Sequence, residues 1–386
     1  MTDFEWKIMA RNSALQRTGE VDDYQKLDLN LKFNDVGTWQ LDIDRRLPIA
    51  EELSQPGAGI VVTRGDTTVL SGPWIDQTHE WGQDKNTLTL AGVDDTIWCK
   101  RRLAHPQPAT AAPPYSTTSE DVRTGQVTGV MFLFAQANMG SAALVPRRVP
   151  GLTMSSNTFG PSITGRGRWQ NLLVLLQELA VMGTLSNGLQ PGFRIVQVGD
   201  GLEFQLYQPV NRSATIQFNP DLGNLASYTY KRSAPELTYA IVGGKGEGSA
   251  RTIFEKPSSD QLALWGRIEN ELVNASSAND AAELGQAADK ALADATEQTS
   301  LSITPIDTPT QSFGVHYGLG DRVRAVLDGQ HNSVAEPVKE CKISLAPGKA
   351  AEISPVVGTQ QASVRLLKMF RKLADYSNRL SLLERK

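Results

Sequence analysis

Leu27, Leu29, Leu31 and Phe33 alternate with Asp28, Asn30, Lys32 and Asn34, and no other feature of the chain narrows the fold so far. A strict two-residue period puts one face of an extended strand in a core and the other in water, a pattern that a helix cannot satisfy. After the turn Asn34-Asp35-Val36-Gly37, the residues Trp39, Leu41 and Ile43 keep the same period, so the pair is expected as a hairpin. Gly57 to Arg64 and Thr67 to Leu70 flank Gly65-Asp66 in the same way, and Thr87 to Gly92 adds another strand. Asp94 to Arg102 is expected as a short helix, with Asp94 or Asp95 near its start and Lys100, Arg101 and Arg102 near its end, matching the helix dipole. Residues 1–104 therefore read as a β-barrel domain.

A chain of 386 residues exceeds one hydrophobic core and implies two to four domains. Residues 105–125, with Pro106, Pro108, Pro113 and Pro114, read as a Pro-rich linker. Residues 126–224 read as a small α+β domain: helices at Val127 to Asn138 and Arg168 to Met182, then the hairpin Phe193 to Val198 and Leu202 to Tyr207. In the second helix Trp169, Leu172, Leu173, Leu176, Leu179 and Ala180 fall on one face. Residues 225–350 read as a second β-barrel domain with a helical insertion at 259–297. Leu262, Trp265, Ile268, Glu269 and Leu272 mark one inserted helix. Leu284, Ala287, Ala288, Ala291, Leu292 and Ala295 mark another, capped at Asn279-Asp280.

Within that second domain, Gly318-Leu319-Gly320-Asp321 is expected as a tight turn, because Gly318 and Gly320 can take positive φ freely. The strand it launches should turn Val323, Ala325 and Leu327 one way and Arg322, Arg324 and Val326 the other, closing at Asp328-Gly329. Leu237 to Val242 and Lys339 to Leu345 are expected beside it in one small barrel, with Cys341 buried on the face of Ile343 and Leu345. In residues 351–386, Leu366, Met369, Leu373, Tyr376, Leu380 and Leu383 occupy a and d positions of nearly three heptads, the candidate oligomerisation residues. Either an oligomeric seam or a helix folded back on its own chain satisfies that pattern. The fold class is α+β, mainly β and multi-domain.

Composition and motifs exclude more than they propose. Aromatic content of 7%, charged content of 21% and a formal charge of −4 describe an ordinary globular protein. No long block of Lys and Arg precedes the last twenty residues, so no stable nucleic-acid binding is expected. Met1 to Glu5 has no signal-peptide character, and the most apolar run, Leu172 to Met182, is too short and too polar to span a membrane. Cys99 and Cys341 give neither a disulfide framework nor zinc spacing, and His79, His105, His316 and His331 are scattered. Gly243 to Ser249 lacks the Gly-Lys-Ser/Thr ending of a phosphate loop and reads as a hairpin tip. Asp22 with Asp23, and Asp94 with Asp95, could serve a glycosidase but read as solvated caps. No catalytic, metal or cofactor-binding residue and no cofactor is assigned, and the chain is not expected to be an enzyme.

Several short motifs occur in a shared order: Asp35-Val36-Gly37-Thr38-Trp39, Gly57 to Arg64, Ser71-Gly72-Pro73, Arg168-Trp169-Gln170-Asn171-Leu172-Leu173, Leu222-Gly223-Asn224-Leu225, Ile241 to Gly246, Trp265 to Glu269 and Tyr317 to Val323. In that order they resemble the minor tail proteins of siphophages infecting actinobacteria, the Gp37-like family, from about residue 25 to 358. That family in turn resembles the baseplate or tail-tip hub proteins of tailed phages. The resemblance implies a homotrimer with two barrel-like tube domains per subunit, joining a six-fold tail tube to three-fold tip components. It also implies a channel passed by tape-measure protein and double-stranded DNA without specific binding. The partners implied are a distal tail or tail-tube ring and tip fibre or receptor-binding proteins, and the location implied is the virion tail tip. Gly318, Gly320 and Asp321 form the family-motif turn. A tail-associated cell-wall or capsule hydrolase and a carbohydrate-binding receptor module are the alternatives.

Overall fold

The computed structural model describes residues 5–358 except 114, 277, 279, 297, 307, 309 and 328–331, and in it the alternating segments become strands. Strands Trp6–Arg11 (β1), Arg17–Glu20 (β2), Lys26–Lys32 (β3) and Thr38–Asp44 (β4) precede the helix Pro48–Leu53 (α1). Gly59–Arg64 (β5), Thr67–Trp81 (β6), Asn86–Val93 (β7) and the short helix Ile97–Lys100 (α2) follow. The middle of the chain contributes Asp121–Gln126 (β8), Val127–Asn138 (α3), Leu152–Met154 (β9), Ser162–Gly167 (β10), Leu172–Met182 (α4), Gly192–Val198 (β11), Gly201–Tyr207 (β12) and Gln217–Phe218 (β13). Beyond it lie Leu225–Ser233 (β14), Tyr239–Gly243 (β15), Ile253–Pro257 (β16), Ser259–Trp265 (α5), Leu272–Asn274 (β17) and Ala281–Ala295 (α6). Gln298–Pro305 (β18), Arg322–Leu327 (β19), Asn332–Leu345 (β20) and Glu352–Gly358 (β21) complete a mainly β protein with some helices.

Contacts divide the chain into two units. One gathers Met1–Ser227 and Thr304–Val356, and the other is built on Tyr228–Ile303. In the first unit the hydrogen-bonded order runs β21-β20-β3-β4-β7-β6-β5-β1-β2, with β19 also on β20 and β13 on β19. Leu27, Leu29 and Leu31 of β3 are buried in alternation, and Leu29 faces Trp39 while Leu27 faces Leu41 across the hairpin. On the other side of β3, Cys341 and Ile343 of β20 sit opposite Leu31 and Leu29, which buries the Cys341 thiol as expected. Two long strands change partners along their length. β6 pairs with β5 up to Pro73 and with β7 from Trp74, with a register shift between Trp74 and Asp76. β20 pairs with β19 in its first half and with β3 in its second. Among the described residues this path stays open and closes no barrel.

The rest of the first unit packs α3 and α4 over β8, β10 and the sheet β11-β12-β9, with Phe134, Leu176, Leu179, Phe193 and Phe204 at the centre. Here two expectations are corrected. Residues 121–125 belong to a strand, not to a linker: β8 is paired with β10 along its whole length, although only its pairing and not its apolar content supports it. Helix α4 begins at Leu172, not Arg168, because the Asn171 side chain accepts a hydrogen bond from Leu173 N and Trp169 takes φ +68° outside the helix. Leu172, Leu173, Leu176 and Leu179 are buried as the spacing requires, whereas Trp169 is exposed.

In the second unit β15 pairs with β16 and β17, and α6 covers the sheet through Leu284, Ala288 and Leu292 against Leu237, Ala240 and Val242. The Asp280 side chain caps α6 by accepting from Glu283 N at 2.8 Å. The first inserted helix is shorter than the Leu262 to Leu272 spacing implies. Gly266 at φ +73° ends it after Trp265, and Leu272 lies in β17. The placement of Leu237 to Val242 is also corrected, since β15 lies in this separate sheet and β19 pairs with β20 and β13 instead. Residues 244–252 form the connection of the β15-β16 hairpin, with positive φ at Gly246 and Gly248. The heptad residues Leu366, Met369, Leu373, Tyr376, Leu380 and Leu383, and the Asp328-Gly329 turn, lie outside the described residues.

Candidate functional site

The turn before β19 is held by its aspartate. Asp321 Oδ1 accepts from Val210 N at 2.7 Å, and Oδ2 accepts from Arg212 Nε at 2.9 Å and Gly318 N at 3.1 Å. The backbone extends this clamp, since Arg322 N donates to Val210 O and Arg212 N to Arg322 O. Gly320 alone of the two glycines takes positive φ, +86°, and a Cβ there would lie 2.4 Å from the Phe33 ring. The turn is therefore a junction that fastens residues 209–212 to the start of β19, more than an ordinary hairpin loop. Val323, Ala325 and Leu327 are buried as their alternation requires, and Val326 is buried too.

A cavity of about 390 Å³ lies beside this turn, lined among others by Phe193, Arg194, Tyr207, Arg212, His316 and Asp321. Its polar groups mostly satisfy one another. Arg194 donates through Nε to Gln205 Oε1 at 2.9 Å and stacks 5.8 Å from the Tyr207 ring. His316 Nδ1 accepts from Ser312 N at 3.1 Å, which leaves a proton for Nε2 in the neutral ring. Burial pushes the Tyr207 phenol up to about 12 and pulls the nearby Lys339 ammonium down to about 8, where Nζ stands 4.6 Å from the Phe33 ring. Burial also pushes the Cys99 thiol up, so it holds no reactive thiolate. Among the described residues no three His, Cys, Asp or Glu side chains group as metal ligands.

Behind the cavity the acidic pair departs from the expectation of solvated caps. Asp95 is fully buried and meets Arg11 in a bidentate pair at 2.6 and 2.7 Å. Ser71 Oγ donates to Asp95 Oδ2 at 2.6 Å, and Gln197 Oε1 accepts from Arg11 at 2.9 Å. The four side chains come from β1, the start of α2, β6 and β11, so the cluster ties two sheets together. No sequence signal marked it, because Arg11 and Asp95 are 84 positions apart. Asp94 does cap, accepting from Thr96 N at 3.0 Å and Gly37 N at 2.8 Å, but from a half-buried site. Such an arrangement suits anchoring rather than glycoside hydrolysis, since neither carboxyl is free to approach a sugar.

Burial pushes the Asp94 carboxyl up to about 7 against the opposing pull of those backbone donors and of Thr96, with Asp95 adding to the rise. A folded-state value above the unfolded one means that the folded protein binds the extra proton. The stability contributed by this group is therefore fully present below about pH 4 and is lost as pH rises towards 7, by on the order of 2–4 kcal/mol. Urea midpoints measured from pH 4.5 to 7.5 should decline for the wild type, and Asp94→Asn should flatten that decline. A slope identical in both proteins would show that Asp94 titrates as an ordinary carboxylate.

A second cluster escaped the sequence reading. His105, Tyr115 and Trp169 meet edge to face, with His105 and Trp169 centroids 4.5 Å apart. Tyr115 at φ +61° and Trp169 at φ +68° both hold left-handed backbone that is costly for bulky residues, and both are exposed. The Arg168-Trp169 motif was the available signal, obscured by the helical spacing that follows it.

The fold groups this chain with phage and prophage tail proteins. It is similar to a tail protein from Neisseria meningitidis, with a TM-score of 0.59 at 15% identity over 92% of this chain and 97% of that one. It is also similar to the 43 kDa tail protein of prophage MuSo2 from Shewanella oneidensis, with a TM-score of 0.57 at 11% identity over 93% and 99% of the two chains. The prophage tail protein gp18 from Listeria monocytogenes gives a TM-score of 0.55 at 10% identity, over 96% and 98%. Within that fold the chain belongs to the siphovirus ReqiPepy6 Gp37-like family, whose family model matches residues 5–359. No curated protein matches the sequence significantly.

Proposed function

We propose that the protein is a structural component of the virion tail, and that it acts as a trimeric hub at the baseplate or tail tip. The observation that carries this reading is the family match over residues 5–359, supported by a tail-protein fold over more than nine-tenths of the chain. In the proposed arrangement residues 1–104 are one tube-type module and 225–350, with the separate unit built on Tyr228–Ile303 inserted, contain the second, so three chains present six of them beneath a six-fold tail tube. Residues 105–120 link the first module to an α+β domain that begins with β8, and Leu366, Met369, Leu373, Tyr376, Leu380 and Leu383 are the proposed oligomerisation residues. The hub joins a distal tail or tail-tube ring to tip fibres or receptor-binding proteins. Its channel passes tape-measure protein and double-stranded DNA, and a net charge of −4 suits a wall that does not trap phosphates. The role is structural rather than enzymatic.

Immunogold labelling of intact virions tests the location, and light scattering of the purified 42.0 kDa chain tests the assembly. The expected results are label confined to the tail tip and a mass near three times that of one chain. Label along the tail shaft or on the head would overturn the hub reading.

A further inference from the structure

Arg101, Arg102, Arg147 and Arg148 converge around the exposed aromatic cluster. Arg101 and Arg102 lie 5.3 and 5.5 Å from the Trp98 ring, Arg102 Nε donates to Arg147 O at 2.8 Å, and Arg147 stands 5.9 Å from the Tyr115 ring. Neutral acceptors hold these side chains. Arg147 donates to Pro108 O and Thr110 O, and Arg148 to Ala143 O. None of the four has a carboxylate partner among the described residues, so their charge stands unneutralised. Beside them Trp169 and Tyr115 expose their rings, and Val145 is 73% exposed. Arginine and aromatic residues with apolar neighbours and few carboxylates are the composition of a protein-binding surface.

Charge decides what can cover it. The segment 359–386 is itself basic in sequence, with seven Lys and Arg against two acids, and would be repelled. Two copies of the patch would repel each other as well, which excludes a two-fold contact of the patch with itself. With the four arginines set aside, the rest of the chain carries −8 instead of −4. An acidic face is available in the same unit: Glu20, Asp22 and Asp23 around the β2-β3 connection and Glu52 on α1 are exposed, and none is ion-paired among the described residues. Gly19 and Ile49, which abut, bring the two segments together. We infer that the arginine and aromatic patch of one chain docks on the Glu20-Asp22-Asp23-Glu52 face of a second copy. A contact between two unlike faces is head-to-tail, and repeated it closes a three-membered ring when each step turns by about 120° and otherwise extends as an open filament. This rests on the trimeric reading above and supplies its contact.

The test is light scattering of the full chain at low and high salt, with circular dichroism as the control for folding. Arg101→Glu with Arg148→Glu, both at exposed positions, should weaken self-association at least about tenfold, and so should Asp22→Lys with Asp23→Lys. All four changes in one chain should restore it. The wild-type assembly itself should weaken as salt rises, a readout that needs no variant. A ring that persists unchanged in both charge-reversed variants would overturn this contact and leave the hub standing. Failure of the four-fold variant to recover would show that these two faces do not meet. A wild type that is monomeric at every salt concentration would overturn both the contact and the trimer.

Discussion

Asp95→Ala is expected to lower the unfolding free energy by about 3–5 kcal/mol, because it leaves Arg11 as an unpaired charge in the interior. Arg11 is 3% exposed and its guanidinium has Asp95 and Gln197 as partners, so solvent cannot replace the carboxylate without opening the sheets. Ser71 Oγ and Gln197 would lose part of their network in the same change. Removing both charges tests the mechanism. Arg11→Met combined with Asp95→Leu should recover a large part of the loss, since most of the penalty comes from isolating one ion rather than from the worth of the pair. Urea unfolding followed by circular dichroism measures both, and a loss below about 1 kcal/mol in the single variant would mean that water reaches Arg11.

Gly72→Ala should be comparably damaging, for a steric reason. A Cβ at Gly72 would lie 1.8 Å from Val93 O and 2.7 Å from Asp94 Cα, and these are backbone atoms that no rotamer change can move aside. The same crossing is tight from the other side, since a Cβ at Gly59 would lie 2.1 Å from Gly72 O. We expect a cost of about 3 kcal/mol or more, the upper range of overpacking penalties. Gly82→Ala is the control: nothing lies within 4 Å of its Cβ position, and it should change the urea midpoint little. Equal midpoints for the two variants would show that β6 can shift at its bulge to make room.

These two sites mark where sequence reasoning stops. The β3-β4 hairpin was legible because one buried face imposes a two-residue period on Leu27, Leu29 and Leu31. Helix α6 was legible for the equivalent reason at its own period, together with its Asp280 cap. The start of α4 was misjudged because Trp169 sits at helical spacing from Leu172 and Leu173 while its backbone has already turned left-handed. β8 was missed because Asp121-Val122-Arg123-Thr124-Gly125-Gln126 has little apolar content of its own and depends on β10. Asp321 was legible as a turn residue but not as a clamp, since Val210 and Arg212 approach it only in three dimensions. The arginine patch draws on residues from 101 to 148, none of which forms a long basic run.

The pairing of β3 with β20 fixes an order of events during synthesis. Asp28 and Ser344, which share a 2.7 Å hydrogen bond, are 316 positions apart. At ordinary translation speeds the nascent chain holds β3 without this partner for on the order of 15–60 s. Through that interval the β3-β4 hairpin presents an open edge, the kind of template on which nascent chains cross-pair. Lys26, Asp28 and Lys32 put charge along that strand and discourage such encounters. The unit built on Tyr228–Ile303 leaves the ribosome entirely within the wait, so it can fold before the sheet into which it is inserted is complete.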